Sequence, residues 1–243
     1  MRSSNTVAAV LMASALALAF PASSRAQDAA TGSGTATGTA AATATDTASG
    51  DAHGVPSAAE TAQAQSDREY TEALRRRVSI AKIHRIFGIT TWGAMIGTLT
   101  LGFIRYHDLY GFFAGQGDNP CVRGTAVFQD GCASRPLPHL ISSMVTTALY
   151  GTTFTLSLLM PDPDDAASGD SAFARRMRTH KVLRWVHFFG MVSQLALGIA
   201  MSALPPGTRA NDYGMLQALA TVHMGIGLVT FGALTWAGAL MVF

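Results

Sequence analysis

Four long apolar runs fill the second half of the chain, whereas the stretch before residue 78 is polar apart from one short run. Ile86 to Ile104 (IFGITTWGAMIGTLTLGFI) and Leu140 to Met160 (LISSMVTTALYGTTFTLSLLM) carry no charged residue, and Val186 to Leu204 carries only His187 as an ionisable group. A fourth run extends from Tyr213 to Phe243 and is longer than one crossing requires. A bilayer-spanning helix needs about 20 apolar residues, which each run supplies. Lipid offers the backbone no hydrogen-bond partner, so each run must satisfy its amides internally. The pattern therefore predicts membrane helices at about 80–106, 137–160, 180–204 and 213–243. Four such runs in succession predict an all-α fold, an up-and-down four-helix integral membrane bundle over residues 78–243.

The preceding chain differs in kind. Arg2, the apolar Val7 to Phe20 and the small-residue exit PASSRA have the layout of a secretory signal peptide over residues 1–26, with cleavage near Ala26. An uncleaved signal anchor is the alternative. Residues 27–77 form a low-complexity linker with a basic flank. Up to residue 67 they are almost wholly Ala, Thr, Gly, Ser, Asp and Gln, a composition that cannot bury enough apolar area to offset ordering and that predicts disorder. His53 lies within this stretch and is not expected to bind anything.

Composition agrees with that division. Hydrophobic residues make up 49% of the chain and charged ones 13%, so the apolar content is concentrated in the bundle. The net charge of +2 is no signature of nucleic-acid binding, and no partner of that kind is expected. No Walker, Rossmann, kinase or zinc motif is present. The partner that the pattern does imply is the lipid bilayer.

Each predicted helix has a histidine in or near its first turn: His84, His139, His187 and His223. An ionisable ring inside a membrane is costly and generally faces the bundle interior. In an antiparallel bundle, His84 and His187 share one face of the membrane and His139 and His223 the other. The first and third helices are diagonal partners, as are the second and fourth, so each pair could hold a metal from opposite sides. The pattern points to haem, with four axial iron ligands in two pairs. Small residues one turn on (Gly88, Ser142 and Ser143, Gly190, Gly227) would leave room for a flat macrocycle; equally, they are common wherever membrane helices approach closely. His180 lies seven residues before His187 on roughly the same face, among Arg176, Arg178, Lys181 and Arg184. It reads as a contact for propionate groups, and its replacement of His187 as ligand stays open. His107, beside Asp108, reads as solvated. Trp92, Tyr150, Phe154, Phe188, Phe189 and Phe231 could pack on a macrocycle or simply fill the core. Met191 and Met224 lie near ligand positions, but paired histidines make thioether ligation unnecessary.

With histidine followed by glycine in HRIFG, HFFG and HMGIG, the four helices resemble the membrane core of the cytochrome b561 family over residues 78–243. The resemblance implies transmembrane electron transfer by a b-type cytochrome with two haem b groups per chain. His84 with His187 would ligate one iron and His139 with His223 the other. Whether such a chain counts as an oxidoreductase depends on haem being bound. Family members usually carry further helices, and some a donor-binding domain; this chain has a leader and linker instead, which leaves the electron donor and acceptor unidentified and a homodimer open. The alternative is a haem-free four-helix scaffold or assembly protein. A transporter ranks third, since the helices lack the intramembrane acidic residues or broken segments that coupling uses.

Signals for orientation conflict. A leader peptide places the linker outside a bacterial-type inner (cytoplasmic) membrane, in the periplasm. Yet Arg68, Arg75, Arg76, Arg77, Lys82, Arg85, Arg175, Arg176, Arg178, Lys181 and Arg184 flank that same face, against Arg105, Arg123, Arg135 and Arg209 opposite. The positive-inside rule puts the richer face in the cytoplasm. Cys121 and Cys132, in one loop, read either as a disulfide formed in an oxidising compartment or as two thiols. Export is decided as the N-terminus emerges, so the leader takes precedence.

Overall fold

The computed structural model describes residues 57–133, 137–204 and 212–242. The predicted signal peptide and residues 27–56 of the linker lie outside them. The chain divides into two units, residues 1–68 and 69–243.

The described part of the first unit opens α1 (Ala58–Tyr110). Helix thus begins inside the stretch expected to be unstructured. The cause is a capping box: the Ser57 amide donates to Glu60 Oε2 at 2.7 Å, and the Glu60 amide donates to Ser57 Oγ at 3.2 Å. Gln63 adds a side-chain bond to Asp67 one turn on, at 3.0 Å.

In the second unit α1 continues to Tyr110 and is followed by a short α2 (Pro120–Arg123) and a single 3₁₀ turn (Gln129–Gly131). Three long helices complete it: α3 (Leu137–Leu159), α4 (Ala172–Ala203) and α5 (Tyr213–Val242). The described residues contain helices and turns and no strand. Three helices, α1, α4 and α5, are long and apolar enough to cross a membrane. The chain is accordingly a membrane protein by the length and composition of its helices.

The third helix, α3, falls short of the others in hydropathy because it is rich in Thr and Ser. Those hydroxyls are already satisfied. Thr152 donates to the Ala148 carbonyl and Thr153 to that of Leu149, while Ser142 and Ser143 both donate to that of His139. Such back-bonding removes much of the cost of a hydroxyl in an apolar setting.

Neighbouring helices are tied by side chains along their length. Thr91 meets Thr153 at 3.0 Å and Thr98 meets Thr146 at 2.7 Å, joining α1 to α3. Trp92 donates to Thr235 at 3.0 Å and Tyr106 meets Thr221 at 2.7 Å, joining α1 to α5. Between α4 and α5, Gln194 donates to the His223 carbonyl at 2.5 Å and Gly190 faces Thr230. In each pair the later contact on one helix meets an earlier position on the other, so these neighbours run antiparallel.

Tyr106, Tyr110 and Leu216 form a small buried cluster beneath the loop between α1 and α3. That loop is braced from within. The Asp108 carboxylate, 1% exposed, accepts the amides of Val127 and Phe128, each at 2.9 Å. Cys121 and Cys132 form a disulfide, which takes one of the two readings left open by the sequence.

Candidate functional site

His139 and His223 face each other from α3 and α5. Their ring centroids are 6.4 Å apart with the planes nearly perpendicular, at 80°. The Nδ1 atom of each ring is buried and without a hydrogen-bond partner. A buried polar group left unpaired carries a desolvation cost of about 1–3 kcal/mol, so two such atoms in one place mark a site that another group could complete.

Glycine makes the space for these rings, though not the glycine that sequence spacing suggested. A Cβ on Gly102 of α1 would lie 3.1 Å from His139 Cε1, and one on Gly198 of α4 would lie 3.8 Å from His223 Cε1. Both glycines are on neighbouring helices. Two of the residues expected to leave room beside their own histidines meet neighbouring helices: Gly227 meets Leu99 and Gln194, and Gly190 is filled by Thr230. Nothing in a single helix's spacing could reveal which face a neighbouring helix offers.

Toward the other end lie His84 on α1 and, on α4, both His180 and His187. Charges on these three rings and on Arg184 would interact, so they form one cluster. His84 Nδ1 is 3.0 Å from the Thr153 carbonyl, and His180 Nδ1 is 2.9 Å from the Ala237 carbonyl. His187 Nδ1 lies 2.8 Å from the Tyr150 hydroxyl, and the ring is only 7% exposed. Arg184 sits over the Trp185 ring at 5.4 Å, with its Nε buried and unpartnered.

The aromatic residues considered as macrocycle contacts join helices instead. Phe154 stacks on Phe188 at 4.4 Å between α3 and α4, and Trp92 stacks on Phe231 at 6.1 Å between α1 and α5. His107, expected to be solvated, is 39% exposed and 3.3 Å from buried Asp108. The importance of Asp108 was not visible in the sequence, because its partners are amides of a loop some twenty residues on.

Much of the basic face is engaged within the protein. Arg77 and Lys181 both pair with Asp162, Arg175 bonds the Asp170 carbonyl, and Arg178 bonds the carbonyls of Ala167 and Gly169. These residues anchor the segment between α3 and α4.

Among the described residues, no group of three or more His, Cys, Asp or Glu side chains is placed to hold a metal ion. A bare ion of the zinc type has no full ligand set there. Two imidazoles are enough only for a metal whose other positions are filled by its own macrocycle. No family model matches the chain, and no curated protein or solved structure does either.

Proposed function

We propose that residues 78–243 form an up-and-down four-helix membrane bundle that binds two b-type haems and carries single electrons across the bilayer. The observation that carries this reading is the pair His139 and His223, which face each other from α3 and α5 with ring centroids 6.4 Å apart. His139 and His223 are the residues that would hold such a group between α3 and α5. A donor set of two neutral nitrogens suits haem iron, while it would leave a bare divalent ion underbound. At the other end, His84 and an imidazole from α4 form the second pair.

Antiparallel contacts of α1 with α3 and α5, and of α4 with α5, support the bundle topology and make α1/α4 and α3/α5 the diagonal pairs. Haem would supply a one-electron couple at each end. The chain's own residues hold the imidazoles at fixed depth, keep water from them through the tyrosine cluster and the braced loop, and set the polarity around them.

The disulfide between Cys121 and Cys132 bears on orientation. Disulfides persist in oxidising compartments, which supports a topology with this loop outside and the basic face in the cytoplasm. Two signals, the disulfide and the basic residues, then agree against the leader.

The test is a reduced-minus-oxidised absorption spectrum with a pyridine haemochrome count on the full chain, expressed with haem supplied and purified in mild detergent. The expected result is a b-type spectrum with about two haems per chain, falling to about one in His139→Ala or His223→Ala. A folded, colourless protein would overturn the reading. It would leave the haem-free scaffold, which one observation favours: His84, His180 and His187 each bond a neighbouring helix.

A further inference from the structure

We infer that the imidazole paired with His84 is that of His180, and that His187 is a packing residue. This inference rests on the haem reading and names the residue that completes its second site.

A carbonyl oxygen can only accept a hydrogen bond, so a ring nitrogen held against one must carry the proton. His84 Nδ1 is held by the Thr153 carbonyl and His180 Nδ1 by the Ala237 carbonyl. In both neutral rings the lone pair is therefore on Nε2, free to bind a metal. Metal-binding histidines are usually oriented in this way, by a carbonyl or carboxylate on the other nitrogen. His187 has no such constraint. Its Nδ1 faces the Tyr150 hydroxyl, which can donate as well as accept, and nothing fixes the proton on one nitrogen.

His187 is 7% exposed and stands edge-on to the Tyr150 ring at 5.6 Å. One turn on, Gly190 offers no opening, since a Cβ there would lie 2.1 Å from Thr230 Oγ1. A flat macrocycle has no face of this ring to approach. His84 and His180 are each only half-buried, as are His139 and His223.

A third feature agrees. Arg184 is one turn beyond His180, its charge within reach of both His84 and His180, and its buried Nε has no partner. An unpaired guanidinium beside two neutral rings suits the carboxylates of a bound porphyrin. His180 is two turns before His187, so the change of ligand moves the α4 side of the site about 10 Å toward the basic face.

The experiment counts haems and examines ligation in the full chain in detergent. Wild type is expected to hold two low-spin haems. His180→Gly should lose one of them, and imidazole in the buffer should restore it, because a vacated axial position admits the free ligand. His187→Gln should keep two haems with unchanged low-spin electron paramagnetic resonance signals. His180→Met should keep the second haem but shift its near-infrared magnetic circular dichroism band to that of thioether ligation. Loss of one haem in His187→Gln together with two in His180→Gly would overturn the inference and leave the haem reading intact. So would imidazole rescue of His187→Gly. Absence of haem from wild type would overturn both.

Discussion

At Gly190 a hydrogen atom is all the fold has room for. Thr230, 1% exposed, closes the space with its Oγ1 donating to the Ile226 carbonyl at 2.7 Å, so the hydroxyl cannot swing away without losing that bond. Gly190→Ala should therefore push α4 from α5 and destabilise the protein by about 1–3 kcal/mol, the range for an overpacked core. Thermal unfolding in detergent measures this as a fall in midpoint, and the double variant Gly190→Ala with Thr230→Ala should recover most of it. An unchanged midpoint in the single variant would mean that the helices do not approach as described. The same residue shows how far spacing can be read. A glycine three positions after a histidine is visible in the sequence as a small residue on the histidine's face. What fills the space is a property of another helix. The histidines themselves were legible, because an ionisable ring in an apolar run stands out; the orphaned Nδ1 atoms and the glycines at 102 and 198 that face the rings depend on packing.

Between elements, the segment joining α3 to α4 is held by Asp162, which takes Arg77 from α1, Lys181 from α4 and the Ala166 amide at 3.0 Å. Partial burial alone would raise this carboxyl above its ordinary value, but the Ala166 amide, Lys181 and Arg77 together outweigh it and hold the group well below the usual carboxylate range. The folded protein thus binds this proton more weakly than the unfolded chain. Its stabilising contribution is complete above the ordinary value of 3.8 and is lost progressively as pH falls below that toward the folded-state value. Asp162→Asn should lower stability by about 1 kcal/mol at pH 7, in the range of partly exposed ion pairs. The difference from wild type should shrink as unfolding is repeated at pH 5, 4 and 3. A difference that grew on acidification would contradict the assignment. Element boundaries show the same division between legible and hidden. Hydropathy found three helices long and apolar enough to cross a membrane, and the fourth predicted span, α3, is not among them; α1 starts at Ala58 and α4 at Ala172, well before the apolar runs. The extensions are polar helices made of good helix formers, opened by Ser57 with Glu60 and by Ser171, whose Oγ accepts the Ala174 amide. Those capping residues are in the sequence, but a search for apolar length passes over them.

For the whole molecule the open choice is which end faces the cytoplasm. The bundle is asymmetric. One end carries the arginine-rich extensions of α1 and α4, and the other carries the loop closed by Cys121 and Cys132. Internal pairing of Arg77 and Lys181 with Asp162 does not weaken the positive-inside argument, since acidic residues contribute little to that rule. A disulfide is seldom kept in a reducing cytosol. On the proposed topology both considerations favour the cysteine loop outside, whereas a cleaved leader would put residue 58 there and the cysteines inside. The two arrangements separate in spheroplasts treated with a membrane-impermeant phosphine and then an impermeant maleimide. With the loop outside, Cys121 and Cys132 should be labelled in intact spheroplasts, only after reduction, and to the same extent as in lysed ones. Labelling that required lysis would restore the leader's topology and turn the basic end outward.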